Sequence, residues 1–178
     1  MKSFIGKSLK KLNFSKKKVT AKNLYSTDSE IECLNGGLYT LIQDFPGRLG
    51  YWRVGVSPSG PMDSYSFRIA NAIVGNAPKA AAIEMTYNGG TFQFNKDTKI
   101  AITGAPMNAE LDGKAIKYYK PINVKKGQVL TLTNIEGPGA RTYLAIEGEK
   151  KYIKYNSFYF PHAIILQYRF SLYFSFFK

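Results

Sequence analysis

The sequence predicts a mainly β domain, a closed or nearly closed barrel of short strands interrupted by one helix. Short runs of β-type residues, each bounded by Gly, Asn or Asp, recur between residues 38 and 146. Apolar residues recur at helical spacing only around residues 64–74. Sixteen glycines and an aromatic content of 15% suit a strand-rich chain with many turns. A chain of 178 residues has room for one domain with a substantial core.

The strands are predicted in chain order from these runs. Asp112-Gly113 is the dipeptide best suited to a two-residue type I′ turn, so the runs on either side of it should form a hairpin. The predicted strands are Leu38–Gln43, Ala82–Tyr87, Thr91–Phe94, Lys99–Thr103, Met107–Leu111, Lys114–Lys117, Val129–Thr133 and Thr142–Ile146.

One helix is predicted between the first two strands. Phe67, Ala70, Ile73 and Val74 have helical spacing. Asp63 or Ser64 is suited to cap its start, and Gly75 stands just past its end. Pro78 then discourages continuation of the helix.

The net charge of +13 belongs to the two ends of the chain. Residues 24–149 contain twelve basic and twelve acidic residues, whereas residues 1–23 contain eight Lys and no acid. We expect a basic flexible leader over 1–35, a domain over 36–148 and a separate tail over 149–178. A neutral domain lacks the basic face of a nucleic-acid-binding fold, so no nucleic acid partner is predicted.

The contents of cysteine and histidine exclude several kinds of site. With one Cys and one His, no intrachain disulfide and no Cys/His zinc site can form, and no metal is predicted. A Cys33–His162 catalytic pair is the weaker alternative to Cys33 as an ordinary buried side chain. The N-terminus has no signal-peptide apolar region, and no apolar run is long enough for a membrane span. We therefore expect a cytoplasmic protein.

The segment before the helix is dense in residues that fix backbone shape. Gly47 and Gly60 permit positive φ, while Pro58 and Pro61 fix φ and lack an N–H group. A constrained loop that leads into a helix N-terminus is suited to present its N–H groups to an oxyanion or a carboxylate. The sequence therefore predicts an anion-binding loop over residues 59–63.

The same segment resembles the allophanate hydrolase subunit 2 family, which is the carboxyltransferase region of urea carboxylase and urea amidolyase and the C subunit of 5-oxoprolinase. The resemblance rests on IQDFPGRLGYW at 42–52, VGVSPSGPMD at 54–63, FRIAN at 67–71 and VGN at 74–76. Short matches at 83–84, 104–105, 111–113 and 141–145 continue it, so that it covers residues 36–148. It implies a cyclophilin-like β-barrel.

The resemblance implies a biotin-dependent reaction that moves a carboxyl group from carboxybiotin to a urea nitrogen. Biotin would be carried by a partner domain and ATP used at another. The implied partners are a first-half carboxyltransferase domain, a biotin carboxylase domain and a biotin carrier domain. The C subunit of a 5-oxoprolinase, with ATP-dependent cleavage of 5-oxoproline, is the alternative within the family. A non-catalytic binding or regulatory module and an inactive truncated product are the alternatives outside catalysis.

This chemistry needs donors for a carboxylate and a group that takes a proton from the substrate nitrogen. Candidates for catalysis are Asp63, Ser59 and Arg68. Each has a structural alternative: a helix cap for Asp63, a turn for Ser59, and a surface ion pair with Asp44 or Glu84 for Arg68.

The candidates for substrate binding lie in the same loop, before it and on the helix. The structural alternative for Asn71 is a hydrogen bond to a neighbouring loop. The alternative for Tyr51, as for Trp52, is packing in the core or at its rim. The predicted substrate-binding residues are Gly60, Pro61, Met62, Asn71 and Tyr51.

After Gly148 the sequence departs from the family, which continues with a Gly-rich segment. Residues 149–178 are instead rich in Lys, Tyr, Ile and Phe. We expect a non-family tail and a chain that carries only the first part of the domain. A membrane-surface segment and a variant strand pair are the alternatives for this tail.

Overall fold

The computed structural model describes residues 30–47, 49–50, 52–55, 58–148 and 153–155, the last three by backbone alone. Within these residues the chain forms eleven strands, one α-helix and a 3-10 turn at Trp52–Val54. The helix α1 is Ser64–Ile73. The strands are β1 Ile31–Asn35, β2 Tyr39–Gln43, β3 Ala82–Thr86, β4 Thr91–Phe94, β5 Thr98–Gly104, β6 Met107–Leu111, β7 Lys114–Ala115, β8 Ile122–Val124, β9 Val129–Ile135, β10 Arg141–Ile146 and β11 Ile153–Tyr155.

The strands form two sheets. One has the order β11-β1-β4-β9-β6-β7 and the other the order β2-β3-β10-β5-β8. The pairings are antiparallel, apart from the parallel pair of β1 and β11. This architecture leaves each sheet with its own edge strands.

The main core lies between the two sheets. Its side chains come from strands of both, among them Ile31 and Phe92 from the first sheet and Ile83, Ile102 and Leu144 from the second. Because successive side chains of a strand point to opposite faces, the alternate residues of β3, β5 and β10 face away from this core. Helix α1 covers those of β5 and β10.

Helix α1 packs on the outer face of the five-stranded sheet. Phe67, Ala70 and Val74 form a second apolar cluster with small residues of the sheet and with the fully buried Tyr143. The rings of Phe67 and Tyr143 meet edge to face, with centroids 5.9 Å apart. Strand β10 is therefore buried on both faces, and α1 has a fixed position over its middle.

Several local predictions are confirmed. Asp63 is the N-cap of α1, and Gly75 follows the helix at φ 81°. Asp112 and Gly113 both have positive φ between the paired strands β6 and β7, as a type I′ turn requires.

Two expectations about the fold need correction. The mainly β class with one helix is confirmed, but the described residues form two facing sheets and no closed barrel, so the cyclophilin-like barrel is not confirmed. The leader was expected to extend to residue 35, yet Ile31–Asn35 are a strand whose Ile31 and Cys33 are buried in the core. Strand β8 was not predicted, because three residues give too short an alternation to recognise.

The predicted tail lies mostly outside the described residues. Its described part, β11, pairs in parallel with β1 in the register Ile31↔Ile153. Among the described residues, no helix has the length and apolar character needed to cross a membrane.

Candidate functional site

Two arms of the segment before α1 cross at a pair of glycines. A Cβ on Gly47 would collide with the carbonyl oxygen of Ser59, and one on Gly60 would lie 2.8 Å from that of Pro46. Both glycines also have positive φ, at 82° and 109°. No other residue fits this crossing without a shift of backbone, so both glycines are required for the shape of the loop.

The arm that leads back to α1, residues 58–63, is held by side chains of the five-stranded sheet. The N–H of Met62 donates to Glu84 Oε2 at 2.8 Å, and the N–H of Asp63 donates to Tyr143 Oη at 2.7 Å. The Tyr143 hydroxyl in turn donates to Glu84 Oε2 at 2.7 Å. On the arm itself, the N–H of Gly60 donates to Oε1 of Gln43 at 3.1 Å. We call Gln43, Glu84 and Tyr143 the loop clamp.

Burial fixes the protonation of the phenol in the clamp. Desolvation raises the pKa of Tyr143, and the neighbouring Glu84 and Asp63 carboxylates raise it further, although the bond from the Asp63 N–H acts in the opposite direction. An ordinary phenol is already protonated at neutral pH, and the raised pKa keeps Tyr143 a donor to Glu84 at alkaline pH as well.

The guanidinium of Arg141 lies beside the buried carboxylate of Glu84. Arg141 Nε lies 3.7 Å from Glu84 Oε1, an ion-pair distance that is too long for a hydrogen bond. This Nε is buried and has no hydrogen-bond partner. Thr86, which faces Arg141 across the β3–β10 pair, also has a buried hydroxyl without a partner.

Asp63 caps α1 with both of its carboxylate oxygens. Oδ1 accepts from the N–H groups of Tyr65 and Ser66, each at 3.0 Å. Oδ2 accepts from the Ser66 hydroxyl at 2.5 Å. The structural alternative for this residue is therefore observed, and Oδ2 retains a second lone pair for another donor.

The predicted donor array over residues 59–63 is corrected by these bonds. The N–H groups of Gly60, Met62 and Asp63 are directed to acceptors of the protein itself, and Pro61 has no N–H. The carboxylate that this loop binds is the buried Glu84. The loop is shaped by the clamp, and the N–H groups of Gly60, Met62 and Asp63 are not open to a ligand.

The other predicted site residues lie at different places. Arg68 is exposed on α1 with its guanidinium 5.5 Å from the centroid of the Phe45 ring, and the ion pair of Glu84 is with Arg141 rather than with Arg68. Ser59 and Pro61 are half-buried in the loop, and Met62 is exposed. Tyr51 lies outside the described residues.

Asn71 lies near the C-terminal end of α1, which is away from the loop. It is fully buried, its amide donates to the Ala80 carbonyl at 2.9 Å, and its oxygen accepts from Asn76. Asn76 also donates to Ile146 O and accepts from Gly148 N. The two side-chain amides therefore join the end of the helix to β10. For Asn71 the structure shows the alternative role, a hydrogen bond to a neighbouring loop.

Sequence reasoning missed the clamp as part of the site. Glu84 is the one charged residue in the strand sequence AIEMT, and a charge within such a largely apolar run was the available signal. Its partners lie 22 and 59 residues away, so no local pattern could identify them. In the described part of the chain, no group of three acidic, His or Cys residues is placed to hold a metal ion.

Comparison with known families identifies the class of domain that carries this loop. The family model "Carboxyltransferase domain, subdomain A and B" matches residues 54–156, more than half of the chain. The chain belongs to this carboxyltransferase domain family.

Two curated relatives show how the similarity is distributed. Urea amidolyase of Saccharomyces cerevisiae is 49% identical over 138 residues, which are 76% of this chain and 8% of that protein. The C subunit of Escherichia coli 5-oxoprolinase is 39% identical over 118 residues, which are 66% of this chain and 37% of that protein. The chain thus corresponds to a small part of each relative's length.

A solved structure agrees in fold. The urea carboxylase of Kluyveromyces lactis superposes with a TM-score of 0.64 at 44% identity, covering 70% of this chain and 11% of that one. The resemblance to the family is confirmed, and the carboxyltransferase domain is of the type found in urea amidolyase and urea carboxylase.

Proposed function

We propose that this chain acts as part of a carboxyltransferase that moves a carboxyl group from carboxybiotin to a urea nitrogen. The observation that carries the proposal is the 49% identity to urea amidolyase over 138 residues. The identity to the 5-oxoprolinase subunits is lower, 39% and 37%. Cleavage of 5-oxoproline is therefore the second candidate.

Carboxybiotin would supply the activated carboxyl group, and the outer face of the loop has side chains that suit such a group. Arg68 is exposed and has no ion pair among the described residues, so its guanidinium can bind a carboxylate. We assign to Ser59 a hydroxyl hydrogen bond to the same group. Gly60, Pro61, Met62 and Tyr51 would line the contact.

Asp63 is proposed as the acceptor of the proton that leaves the substrate nitrogen. The remaining lone pair of Oδ2 can take this proton while Oδ1 still caps the helix. The clamp fixes the N–H of Asp63 and of its neighbour Met62, so the carboxylate is held in one place with little loss of entropy on reaction.

In this proposal ATP is used and biotin is carried by partner domains, namely a biotin carboxylase domain and a biotin carrier domain, and a first-half carboxyltransferase domain completes the site. Curated relatives are much longer than this chain, which supports such partners. We place the protein in the cytoplasm, since one cysteine permits no intrachain disulfide.

An exchange of segments tests the proposal. The 138-residue matching segment of yeast urea amidolyase is replaced by that of this chain, and urea-dependent ATP turnover is measured. We expect turnover within about tenfold of the parent, because about half of the residues in the two segments are identical. The parallel exchange into the C subunit of E. coli 5-oxoprolinase measures turnover that depends on 5-oxoproline.

The two exchanges have distinct outcomes. Activity with urea alone supports the proposal, and activity with 5-oxoproline alone supports the second candidate. A pair of folded but inactive chimeras would contradict both and would favour a non-catalytic module.

A further inference from the structure

Large apolar side chains are exposed in one short stretch of the chain. We call Leu49, Trp52, Val54, Met62 and Tyr65 the apolar rim; each has between 59% and 74% of its surface exposed. They are five of the nine large hydrophobic residues that are exposed in the described part of the chain, and they lie within 17 residues of one another. Scattered single residues of this kind are ordinary, but a concentration of them marks an interaction surface.

The loop geometry places the rim on one side of the molecule. The segment that carries Leu49, Trp52 and Val54 leaves and returns through the Gly47–Gly60 crossing, and Met62 follows that crossing directly. Tyr65 and Arg68 are three residues apart on α1 and therefore share a helix face. Because Arg68 contacts Phe45, this face adjoins the outgoing arm. The rim thus surrounds the loop rather than the far end of the sheets.

The composition of this segment is that of a protein interface. Trp, Tyr, Met and Arg are enriched in the centres of interfaces and Lys is depleted. The chain contains no Lys between Asn23 and Pro78, although Lys is frequent on both sides of this stretch. Arg53 and Arg68 are exposed and form no ion pair within the described residues. Arg53 would meet a carboxylate on a partner, whereas Arg68 keeps the carboxyl group of carboxybiotin as its proposed ligand.

We propose that the apolar rim docks a second folded unit of the same enzyme, which presents an apolar patch flanked by Asp or Glu. This inference rests on the proposed function, because it takes the partner from the enzyme to which the chain would belong. Such docking would enclose the outer face of the loop and exclude water from it. The relatives are long enough to provide the unit, since this chain matches only 8% of urea amidolyase.

Thiol labelling tests the docking. The natural Cys33 is buried, so single cysteines introduced as Leu49→Cys and Met62→Cys report on the rim, and Leu38→Cys is the matched control. Leu38 is 64% exposed, close to the 59% of Leu49, but precedes the end of β2 that is away from the loop. Maleimide labelling of each peptide is followed by mass spectrometry in the isolated chain and in the urea amidolyase chimera.

We expect labelling at positions 49 and 62 to be at least tenfold slower in the chimera than in the isolated chain, with less than a twofold change at position 38. Arg53→Glu should restore much of the labelling, whereas Lys120→Glu, an exposed charge reversal outside the segment, should not. Equal labelling rates in chain and chimera would overturn the inference. Protection in the isolated chain that grows with its concentration would also overturn it, in favour of a second copy.

If the chimera does not fold, a second measurement on the isolated chain tests the docking. The chain has a single tryptophan, so 5-fluorotryptophan labelling gives one ¹⁹F resonance from Trp52. A saturable shift on titration with urea amidolyase that lacks its matching segment supports docking, and a resonance that does not move contradicts it. Labelling protection does not depend on turnover, so a protected but inactive chimera would reject the proposed function alone.

Discussion

At the scale of single residues, one hydroxyl joins the loop to the sheet. The Tyr143 hydroxyl accepts from the Asp63 N–H and donates to Glu84. Removal of this hydroxyl leaves the partly buried Asp63 N–H without an acceptor and the buried Glu84 carboxylate with one donor fewer. Both changes are more costly than the loss of an exposed hydrogen bond.

Tyr143→Phe is therefore expected to lower the free energy of unfolding by about 1–3 kcal/mol. Guanidinium unfolding measures this change, and amide hydrogen exchange should become faster at Met62 and Asp63 in particular. Tyr119→Phe is the control, because Tyr119 is exposed and its hydroxyl bonds only Gly104 among the bonds described. Unchanged exchange at both loop amides would show that Tyr143 does not hold the loop.

The buried thiol of Cys33 gives a second residue-scale prediction. Burial raises the pKa of this thiol to about 12 from its usual value of 9.0, despite an opposing backbone hydrogen bond at Asn35. In the unfolded chain the thiol loses its proton first, so the free energy of unfolding should fall as pH rises from about 9 towards 12.

Cys33→Ala removes this contribution. The pH dependence of its unfolding free energy above pH 9 should be shallower than that of the natural chain by a slope approaching one proton. Guanidinium titrations from about pH 8 to about pH 11 measure the difference between the two proteins. Parallel curves would mean that the thiol titrates alike in the folded and unfolded states.

At the scale of elements, α1 depends on Asp63 as its N-terminal cap. This capping role can be tested separately from the proposed catalytic role of Asp63. Asp63→Ala should cost about 1 kcal/mol, since Ala cannot accept the N–H groups of Tyr65 and Ser66. Asp63→Asn should keep most of the stability, because Asn is as good a cap as Asp. In the chimera, however, Asn cannot take a proton from the substrate nitrogen.

The expected result for Asp63→Asn is a loss of urea-dependent turnover of roughly 100-fold or more with near-natural stability. Thermal unfolding and turnover are measured on the same samples, with Ser64→Ala as a neighbouring control. If Asp63→Asn keeps full turnover, the residue is a cap and nothing more.

What the sequence could predict follows from how local each feature is. Helix α1 and the turn at Asp112-Gly113 depend on neighbours in the chain, so spacing and turn chemistry were sufficient. Strand β1 was missed because its alternation adjoins a Lys- and Ser-rich stretch and its partners are β4 and β11. The sequence predicted that residues 59–63 present N–H groups to an anion, but those of Gly60, Met62 and Asp63 bond acceptors from β2, β3 and β10, which only the tertiary fold brings beneath them.

At the scale of the whole molecule, the start of the first sheet determines how much of the N-terminal region the fold requires. Strand β1 lies between β4 and β11, and its Ile31 is fully buried against the core. Removal of β1 would expose apolar surface of β4, including Phe92 and Phe94, which are fully buried in the natural fold. Loss of one buried Ile side chain alone typically costs about 2–5 kcal/mol.

Two truncations test where the domain begins. A chain that starts at residue 30 keeps every described core residue and should unfold cooperatively, close to the midpoint of the natural chain. A chain that starts at residue 36, the boundary expected from the sequence, lacks β1 and should lose at least several kcal/mol or fail to fold. Circular dichroism and guanidinium unfolding compare the two, with Ile31→Ala in the full chain as the milder variant. Equal stability of both truncations would support the boundary at residue 36, because β1 would then contribute nothing to the free energy of unfolding.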